Sequence, residues 1–377
     1  MRIIQASSYF YPHIGGVETH VFELAQSLQD MGHEVIVLCA AVPKSNHKDA
    51  VNGLRIHRFP ALDLPYVPLV YALRRRIAQF SADIVHSHYP PPFMSYGAVK
   101  GLPQIPHVLT YHCDLVVPDY IANLRIPRVF KNSIQRVNNS LYAKPVLDKV
   151  DQIIATTRSY ARSSPVLRNY QYKIVPNGVR LQAFDRLQDT SERKVKQVLF
   201  VGRLSSVKGI DYLIKAAKIV LKQHKDATFL IVGDGEERQS LKALAKGYEN
   251  CIKFCGHISR RALVELYKSS AVLVLPSFTR LEAFGVVLLE AMACETPVIA
   301  SRIPGVLDVV GEGGFLVKPC SSQSLATAIL EIFENPENAR RMGKKGRQLV
   351  EQKYDWKIVA QEVLGVYANV QDLTVRP

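Results

Sequence analysis

The chain has 377 residues, 47% of them hydrophobic, and its 48 Lys and Arg against 33 Asp and Glu give a formal net charge of +15. The length favours two domains, and the charge favours anionic partners: phosphate-bearing ligands, nucleic acid or an acidic membrane. No apolar run approaches the roughly 18 residues of a membrane span, and the N-terminal residues predict a strand instead of a signal peptide. We therefore expect a cytoplasmic protein with reduced thiols.

The first half of the chain alternates strands with helices. Its helix over 17–31 follows a strand and a turn-rich loop that ends in Gly15 and Gly16, and the next strand completes a βαβ unit. The two glycines either bring the backbone close to an anion at the helix N-terminus or only form a tight turn, and the local pattern fits both. Strands are predicted over 2–7, 34–40, 54–59, 83–88, 107–112, 152–157 and 172–175.

Three histidines, His86, His88 and His112, lie at the ends of predicted strands. No further ligand set at a recognised spacing completes a metal site around them. His112 ends its strand where a parallel sheet opens to a ligand. It is therefore either a site residue or a packing and capping group.

A basic segment follows. Residues 120–147 contain five Lys and Arg and no acid. They predict a basic amphipathic helix over 128–144, which includes Arg128, Lys131 and Arg136. Such a helix either rests on an anionic membrane surface or is an ordinary surface helix with a solvated basic face. Its predicted apolar face consists of Phe130, Ile134, Val137 and Leu141.

The second half repeats the alternation of strands and helices, so its sheet should also be parallel. A turn signal at 175–179 and a polar segment at 186–196 predict a boundary between one domain over 1–179 and another over 180–355. Two similar doubly wound α/β domains follow, with the cleft between them as the default ligand site. The second domain is predicted to have strands over 198–201, 228–232, 252–255, 272–275 and 297–300, and helices over 211–221, 261–269 and 283–294.

Two loops of the second domain carry residues suited to a diphosphate. Arg203 offers a planar fork of donors and Lys208 a compact charge in one loop, although each could be an ordinary surface cation. Gly233 and Gly235 follow the next strand and permit close backbone approach. The chain has no Asp-x-Asp pair, so a diphosphate clamped by a metal ion is not supported.

Glu282 and Glu290 lie eight positions apart, the first in a loop and the second in the helix over 283–294. At about 100° per residue, eight steps leave two helical positions roughly 80° apart, so both acids can face one cleft. From the spacing alone, an acid and base pair of the glycosidase type is conceivable.

Five short motifs occur in order along the chain: Gly15-Gly16, Asn177-Gly178, Gly202-Arg203 with Lys208-Gly209, Gly233-Asp234-Gly235 and Glu282-x7-Glu290. This ordered set resembles the family-4 retaining glycosyltransferases over nearly the whole chain. The resemblance implies the GT-B fold, in which two Rossmann-like doubly wound α/β domains face each other across a deep cleft. It also implies that a last helix, over 356–377, crosses back to the first domain.

The resemblance implies roles for matching positions of the second domain. Arg203 and Lys208 would bind the donor diphosphate and stabilise the leaving nucleotide, while Glu290 would hold the ribose hydroxyls. Glu282 would hold hydroxyls of the donor sugar, so the two acids serve two parts of one donor. The backbone that supports the sugar and its phosphate beside Glu282 would belong to Ala283, Phe284 and Gly285.

In the first domain, Gly16 would approach the diphosphate and His112 would lie near the transferred sugar. The implied catalytic residues are Glu282, His112, Arg203 and Lys208. Donor binding would also use Gly16, Gly233, Gly235, Ala283, Phe284, Gly285 and Glu290.

The implied activity is a retaining transfer of a hexose from a nucleotide-diphosphate sugar to a hydroxyl of a glycan, lipid or small molecule, without a metal or other cofactor. The basic helix over 128–144 adds the hypothesis that the protein binds an anionic membrane surface, on the inner face of the membrane. One alternative is a nucleotide-sugar epimerase of the same fold. A nucleic-acid-binding protein is disfavoured, because the basic residues are not interleaved with aromatic ones.

The chain departs from the family pattern at three places. Glu295 stands where the family commonly has glycine, and a positive φ there would cost on the order of 1 kcal/mol. Ile303-Pro304-Gly305 replaces a more usual Gly-Gly, and Asp308 replaces a more usual Glu. The last two departures lie near the expected donor sugar or phosphate, so they leave the donor's identity open.

Overall fold

A computed structural model describes residues 1–13, 15–42, 50–64, 67–70, 72–115, 120–121, 124–125, 128–185 and 194–374. The chain divides into two compact units. The first unit comprises Met1–Asn177 together with Trp356–Pro377, and the second unit comprises Gly178–Asp355.

The first unit contains twelve strands and seven α-helices among its described residues. The strands are β1 Arg2–Ala6, β2 Glu34–Ala40, β3 Ala50–Val51, β4 Leu54–Phe59, β5 Ala61–Leu64, β6 Val67–Val70, β7 Ile84–Tyr89, β8 His107–Tyr111, β9 Tyr120–Ile121, β10 Leu124–Arg125, β11 Gln152–Ala155 and β12 Lys173–Ile174. The helices before the chain enters the second unit are α1 Gly16–Asp30, α2 Leu73–Ile77, α3 Pro92–Gly101, α4 Arg128–Asn138, α5 Lys144–Leu147 and α6 Arg158–Ser163.

Eight of these strands form one sheet in the order β12-β11-β8-β7-β1-β2-β4-β3, parallel except for the pairing of β3 with β4. Side chains of β1 alternate between two cores, as the period of a strand requires. Ile3 packs in the cluster that contains residues of α1, while Ile4 packs in the cluster that contains residues of α3. The chain runs from β1 outward to β4 and then returns to β7 on the other side of β1, so the sheet has its switch point between β1 and β7.

The second unit is a six-stranded parallel sheet in the order β15-β14-β13-β16-β17-β18. Its strands are β13 Lys194–Val201, β14 Thr228–Val232, β15 Ile252–Gly256, β16 Ser270–Leu275, β17 Val298–Ser301 and β18 Gly314–Val317. Its helices are α7 Gln182–Asp185, α8 Ile210–Gln223, α9 Arg238–Leu244, α10 Arg260–Ser269, α11 Val286–Ala293, α12 Leu307–Val310, α13 Ser322–Glu334 and α14 Pro336–Leu349. The switch point of this sheet lies between β13 and β16.

The last helix, α15 Trp356–Thr374, belongs to the first unit. It contacts α1, and its buried residues Trp356, Val359 and Val363 share a core cluster with Val21 and Leu24 of α1. One side of α15 is therefore part of a hydrophobic core of the first unit.

Two predicted helices differ from the observed ones. The helix predicted over 283–294 begins at Val286, because Gly285 adopts a left-handed conformation with φ of +78° that an ordinary helical residue does not share. The segment predicted as one helix over 128–144 consists of α4, a π-helical turn over Asn139–Ala143, and α5. Several other elements were not predicted, among them α3, α9, β18, α13 and α14.

Candidate functional site

The switch point of the second unit carries an ion pair. Lys208 lies in the loop after β13, and Glu282 lies in the loop after β16, its neighbour in the sheet. Lys208 Nζ is 2.6 Å from Glu282 Oε2, and the two side chains are 26% and 12% exposed. Parallel strands bring these loops together, since their carboxyl ends meet at one edge of the sheet.

The Glu282 carboxylate is held from a second direction. Ser277 Oγ donates to the same Oε2 over 2.8 Å. Glu282 Oε1 makes no hydrogen bond to any residue that the structure describes, so it keeps both lone pairs for a ligand. Gly209 allows this approach of the loops, since a Cβ at its position would lie 2.4 Å from the Pro276 oxygen.

Arg203 lies on the same edge but pairs with a different acid. Its Nε and Nη2 atoms both lie 3.1 Å from Glu236 Oε2, and its side chain is 67% exposed. Such an exposed pair is weak and exchanges readily with a stronger anion. Arg203 is therefore able to turn its guanidinium fork to a phosphate.

Gly233 and Gly235 bring the loop after β14 against the loop that carries Arg203. A Cβ at Gly233 would lie 2.0 Å from the Gly202 oxygen, and one at Gly235 would lie 2.4 Å from the Leu204 oxygen. No side chain fits at either position. The two glycines thus serve the packing of the protein's own backbone, whether or not a ligand also approaches them.

Glu290 projects from α11 and is bound by two side chains of α10. Arg260 Nη1 lies 2.6 Å from Glu290 Oε1, and Tyr267 Oη donates to Oε2 over 2.7 Å. Burial raises the pKa of Tyr267 well above its ordinary value, and the adjacent Glu290 carboxylate raises it further. Tyr267 therefore stays a donor, and each carboxylate oxygen keeps a lone pair for a diol.

The segment between the two acids has mixed roles. The Phe284 side chain is buried in the core cluster of the second unit that contains residues of α11, so only its backbone is available to a ligand. Gly285 precedes α11, and the Ala283 oxygen packs so closely on Gly305 that a Cβ there would lie 2.4 Å away. The tripeptide Ile303-Pro304-Gly305 thus keeps a glycine where this close approach requires one.

In the first unit, His112 directly follows β8 and is 8% exposed. Its Nε2 lies 3.1 Å from Nδ1 of His88, which is fully buried on β7. Burial lowers the pKa of His112 well below its ordinary value, and neighbouring histidine rings lower it further. His112 is therefore a neutral hydrogen-bonding group near neutral pH.

A histidine that sequence analysis missed completes this region. His20 lies on α1, its Nδ1 is 2.8 Å from Asn177 Oδ1, and its ring meets the His112 ring edge-on at 4.7 Å. Its buried Nε2 has no hydrogen-bond partner among the described residues. The available signal was its spacing of four and eight residues from the core residues Leu24 and Leu28, which places it on the buried face of the helix.

Among the described residues, His20, His88 and His112 are the group whose potential metal-ligand atoms lie within 4.8 Å of one another. His86, which sequence analysis placed with His88 and His112, is instead bound to Tyr367 and Thr110. His20 Nε2 could bind a metal ion without breaking a hydrogen bond, whereas both ring nitrogens of His88 are already hydrogen-bonded.

Gly16 begins α1, where the predicted anion-binding turn lies. A Cβ at Gly16 would meet no described atom within 4 Å, whereas one at Gly15 would lie 2.4 Å from Glu18 Oε2. A side chain at position 15 would therefore displace the Glu18 carboxylate, whereas position 16 has space for one among the described residues.

The segment from α4 to α5 exposes an apolar row. Ile134, Val137 and Leu141 are 46%, 53% and 59% exposed, and Arg136 and Lys144 are exposed beside them. The side chains of Arg128, Phe130 and Lys131 lie outside the described residues. Within the described part of the chain, every helix is too short or too polar to cross a membrane.

Two doubly wound sheets with cations and acids in the loops at their edges are typical of enzymes that bind nucleotides, and comparison with known families agrees. The model described as Glycosyl transferases group 1 matches residues 182–349, and that described as Glycosyltransferase Family 4 matches residues 14–183. A phosphatidyl-myo-inositol mannosyltransferase of Mycobacterium tuberculosis is 30% identical, over 98% of this chain and 97% of the relative. The chain therefore belongs to the group 1 glycosyltransferases, which confirms the predicted family.

Solved structures agree on the fold. A sucrose-phosphate synthase from Thermosynechococcus elongatus matches with a TM-score of 0.76 and 24% identity, covering 99% of both chains. Anabaena HepE, solved in complex with UDP, matches with a TM-score of 0.76 and 20% identity over 98% of this chain and 100% of that chain. The predicted GT-B fold is thereby confirmed.

Proposed function

We propose that this glycosyltransferase moves a sugar from a nucleotide-diphosphate donor to an acceptor hydroxyl, with retention of anomeric configuration and without a metal ion. The observation that carries the proposal is the ion pair of Lys208 and Glu282 at the switch point of the second sheet. Lys208 is a cation for the diphosphate, and Glu282 is a hydrogen-bond acceptor for the sugar. The two groups lie 2.6 Å apart, close enough to contact both parts of a sugar joined to a phosphate.

Negative charge grows on the diphosphate as its bond to the sugar breaks. Lys208 and Arg203 neutralise this charge, and both belong to the loop that leads into α8, whose N-terminus adds a positive dipole end. Because this loop supplies two cations of its own, the proposed transfer uses no bridging metal ion.

The two acids hold two parts of the donor. Glu282 accepts from the sugar hydroxyls through its unpartnered Oε1, and its charge favours positive character at the anomeric carbon. Glu290 accepts from the ribose hydroxyls while Arg260 and Tyr267 hold it in place. In the first unit, His112 contacts the transferred sugar and Gly16 lets the backbone approach the diphosphate.

The acceptor that we favour is a lipid-linked hydroxyl presented at an anionic membrane surface. The exposed row of Ile134, Val137 and Leu141 beside basic side chains supports this choice. The mycobacterial relative, named for transfer to phosphatidyl-myo-inositol, supports it as well.

Thermal-shift screening against nucleoside diphosphates and their sugars tests the donor, with UDP and UDP-glucose in the panel. A bound donor stabilises the native state, by an amount that rises with the logarithm of its concentration above Kd. Lys208→Met should abolish the shift, whereas the matched control Lys215→Met, which removes an exposed lysine of α8, should retain it. A panel without any shift for the wild-type protein would overturn the proposal.

The product then tests the mechanism. NMR of the anomeric proton should show the configuration of the donor, and transfer should proceed unchanged in EDTA. An inverted product, or activity that returns only with Mg²⁺ or Mn²⁺, would contradict retention or metal independence respectively.

Flotation with anionic liposomes tests the membrane surface. The triple variant Ile134→Ser, Val137→Ser and Leu141→Ser should lose binding, as should Arg128→Ser with Lys131→Ser and Arg136→Ser. Leu62→Ser, at another exposed apolar residue, should bind like the wild type. If the wild-type protein stays in the soluble fraction, the proposed binding to a membrane surface is wrong, even where transfer to soluble acceptors is found.

A further inference from the structure

A continuous chain of hydrogen bonds runs through the interior of the first unit at the ends of β1, β7 and β8. The Tyr367 hydroxyl lies 2.7 Å from His86 Nδ1 and accepts from Gln5 Nε2 over 3.2 Å. Gln5 Oε1 lies 2.6 Å from His88 Nε2, whose ring in turn contacts His112. All of these side chains are fully buried except that of His112, which is at the end of the chain.

The amide group of Gln5 determines where the hydrogens lie. Its oxygen can only accept, so His88 Nε2 carries the hydrogen between them. Burial lowers the pKa of His88 well below its ordinary value, and the rings of His86, His112 and His20 lower it further, so the His88 ring is neutral. A neutral imidazole carries one hydrogen, and His88 Nδ1 is therefore an acceptor.

His112 Nε2 must then donate to His88 Nδ1 across their 3.1 Å contact. Because His112 is also neutral, its Nδ1 atom has no hydrogen and presents a lone pair. This atom makes no hydrogen bond to the residues over which the structure is described.

We propose that Gln5 and His88 are positioning residues that hold His112 in the tautomer with hydrogen on Nε2, so that its Nδ1 accepts a hydrogen bond from a sugar hydroxyl of the donor. The inference rests on the proposed function, which places His112 at the transferred sugar. It adds which atom of His112 meets the substrate and which buried residues select that atom.

The other end of the chain anchors Gln5. Tyr367 accepts from Gln5 and donates its own hydrogen to His86 Nδ1, and His86 Nε2 then donates to Thr110 Oγ1 over 2.7 Å. With this assignment, each hydrogen bond of the sequence has one donor and one acceptor. Tyr367 comes from α15, so the last helix of the chain takes part in orienting a residue that follows β8.

A metal ion at the three histidines is the competing interpretation. It would take the lone pairs of His88 Nδ1 and His20 Nε2, and the hydrogen bond from His112 to His88 could not persist. Metal binding and the proposed tautomer are thus mutually exclusive, and one spectrum distinguishes them.

The experiment is two-bond ¹H–¹⁵N correlation NMR of the full chain with ¹⁵N-labelled histidine at pH 7.5, where tautomers give distinct nitrogen shifts. His88 and His112 should both show hydrogen on Nε2, and addition of a nucleotide sugar from the thermal-shift panel should move the Nδ1 signal of His112. The opposite tautomer, a doubly protonated ring or a stoichiometric metal found by mass spectrometry would overturn the proposal. No variant is needed for this part.

Gln5→Leu should mix the tautomers of His112 and lower kcat about 10²-fold, as misplacement of a reacting group does. Gln197→Leu is the matched control: it removes a buried amide from β13 of the second unit and should leave the His112 spectrum unchanged. If Gln5→Leu shows the wild-type spectrum and rate, the positioning role is wrong while the proposed transfer stands. If no nucleotide sugar is bound or turned over, the proposed function fails, whichever tautomer is found.

Discussion

The two units use one kind of sheet to present opposite chemistry at their switch points. In the first unit, Gln5, His86 and His88 are fully buried, neutral and joined by hydrogen bonds. In the second unit, Lys208 and Glu282 are charged and partly exposed. A charge buried without a partner is costly, so the interior network is built from groups that lose their charge on burial, whereas the ionic site stays near water.

The largest effect should come from removing a charge in the second unit. Glu282→Gln keeps the shape of the side chain but leaves Lys208 without its counter-ion and weakens the acceptor for the sugar. We expect kcat to fall about 10²- to 10³-fold, with an unchanged melting temperature, in a sugar-transfer assay. Glu236→Gln, which removes the exposed partner of Arg203, should cost a few-fold at most. Near-full activity of Glu282→Gln would remove that acid from the site.

Lowering the pH should reduce the free energy of unfolding mainly through the first unit, which contains buried neutral histidines. Burial lowers the pKa of His20 to about 4, although its hydrogen bond with Asn177 opposes the shift. The unfolded chain takes up this proton near pH 6.5, so stability is complete above that pH and is lost as the pH falls toward 4, by on the order of 3 kcal/mol for this residue.

Urea denaturation at pH 7.5 and 5.0 measures this loss. His20→Gln, whose amide nitrogen can replace Nδ1 as donor to Asn177, should reduce the difference between the two pH values. The exposed His257→Gln should not reduce it. An equal difference in all three proteins would show that acid acts elsewhere.

A smaller loss should follow when one hydroxyl is removed from the neutral network. Tyr367→Phe leaves His86 Nδ1 and Gln5 Nε2 without a partner in a buried place, which should cost about 1–3 kcal/mol of unfolding free energy. Tyr170→Phe removes an exposed hydroxyl that donates to Asp148 and should change stability by less than about 0.5 kcal/mol. Equal losses would mean that burial does not distinguish the two hydroxyls.

The smallest effect concerns the backbone of each unit. Glu295 follows α11 with φ of +55°, at the place where the family commonly has glycine, and Asn52 of the first unit has φ of +49°. Glu295→Gly should raise stability by up to about 1 kcal/mol, and Asn52→Gly by less, because asparagine tolerates this conformation better. Denaturation midpoints test this order, and a loss of stability in Glu295→Gly would show that the contacts of its side chain outweigh the strain.

Local pattern located most of the loops that form the candidate site. The strands that precede Arg203, Gly233 and Glu282 were predicted within a few residues, because buried parallel strands are short apolar runs bounded by turn residues. Helix bounds were less accurate, as at the predicted start of α11. There Gly285 ends the loop with a positive φ that the apolar run after it does not reveal.

Contacts between residues far apart in the sequence could not be predicted from local patterns. Lys208 meets Glu282 after 74 residues, and His86 meets Tyr367 after 281. Neither spacing has a period that a helix or strand would impose. His20 could be placed on a buried helical face, but its neighbours on β7 and after β8 could not be named.

The sequence by itself determined the class of protein, the alternation of strands and helices that leads to each loop of the candidate site, and which loops carry cations, acids and glycines, because these depend on residue type and local periodicity. Tertiary structure decided which acid each cation meets, which histidines lose their charge and which ring nitrogen of His112 is left to accept a hydrogen bond. Those properties depend on burial and on strand order, since a switch point joins loops that are far apart in the chain.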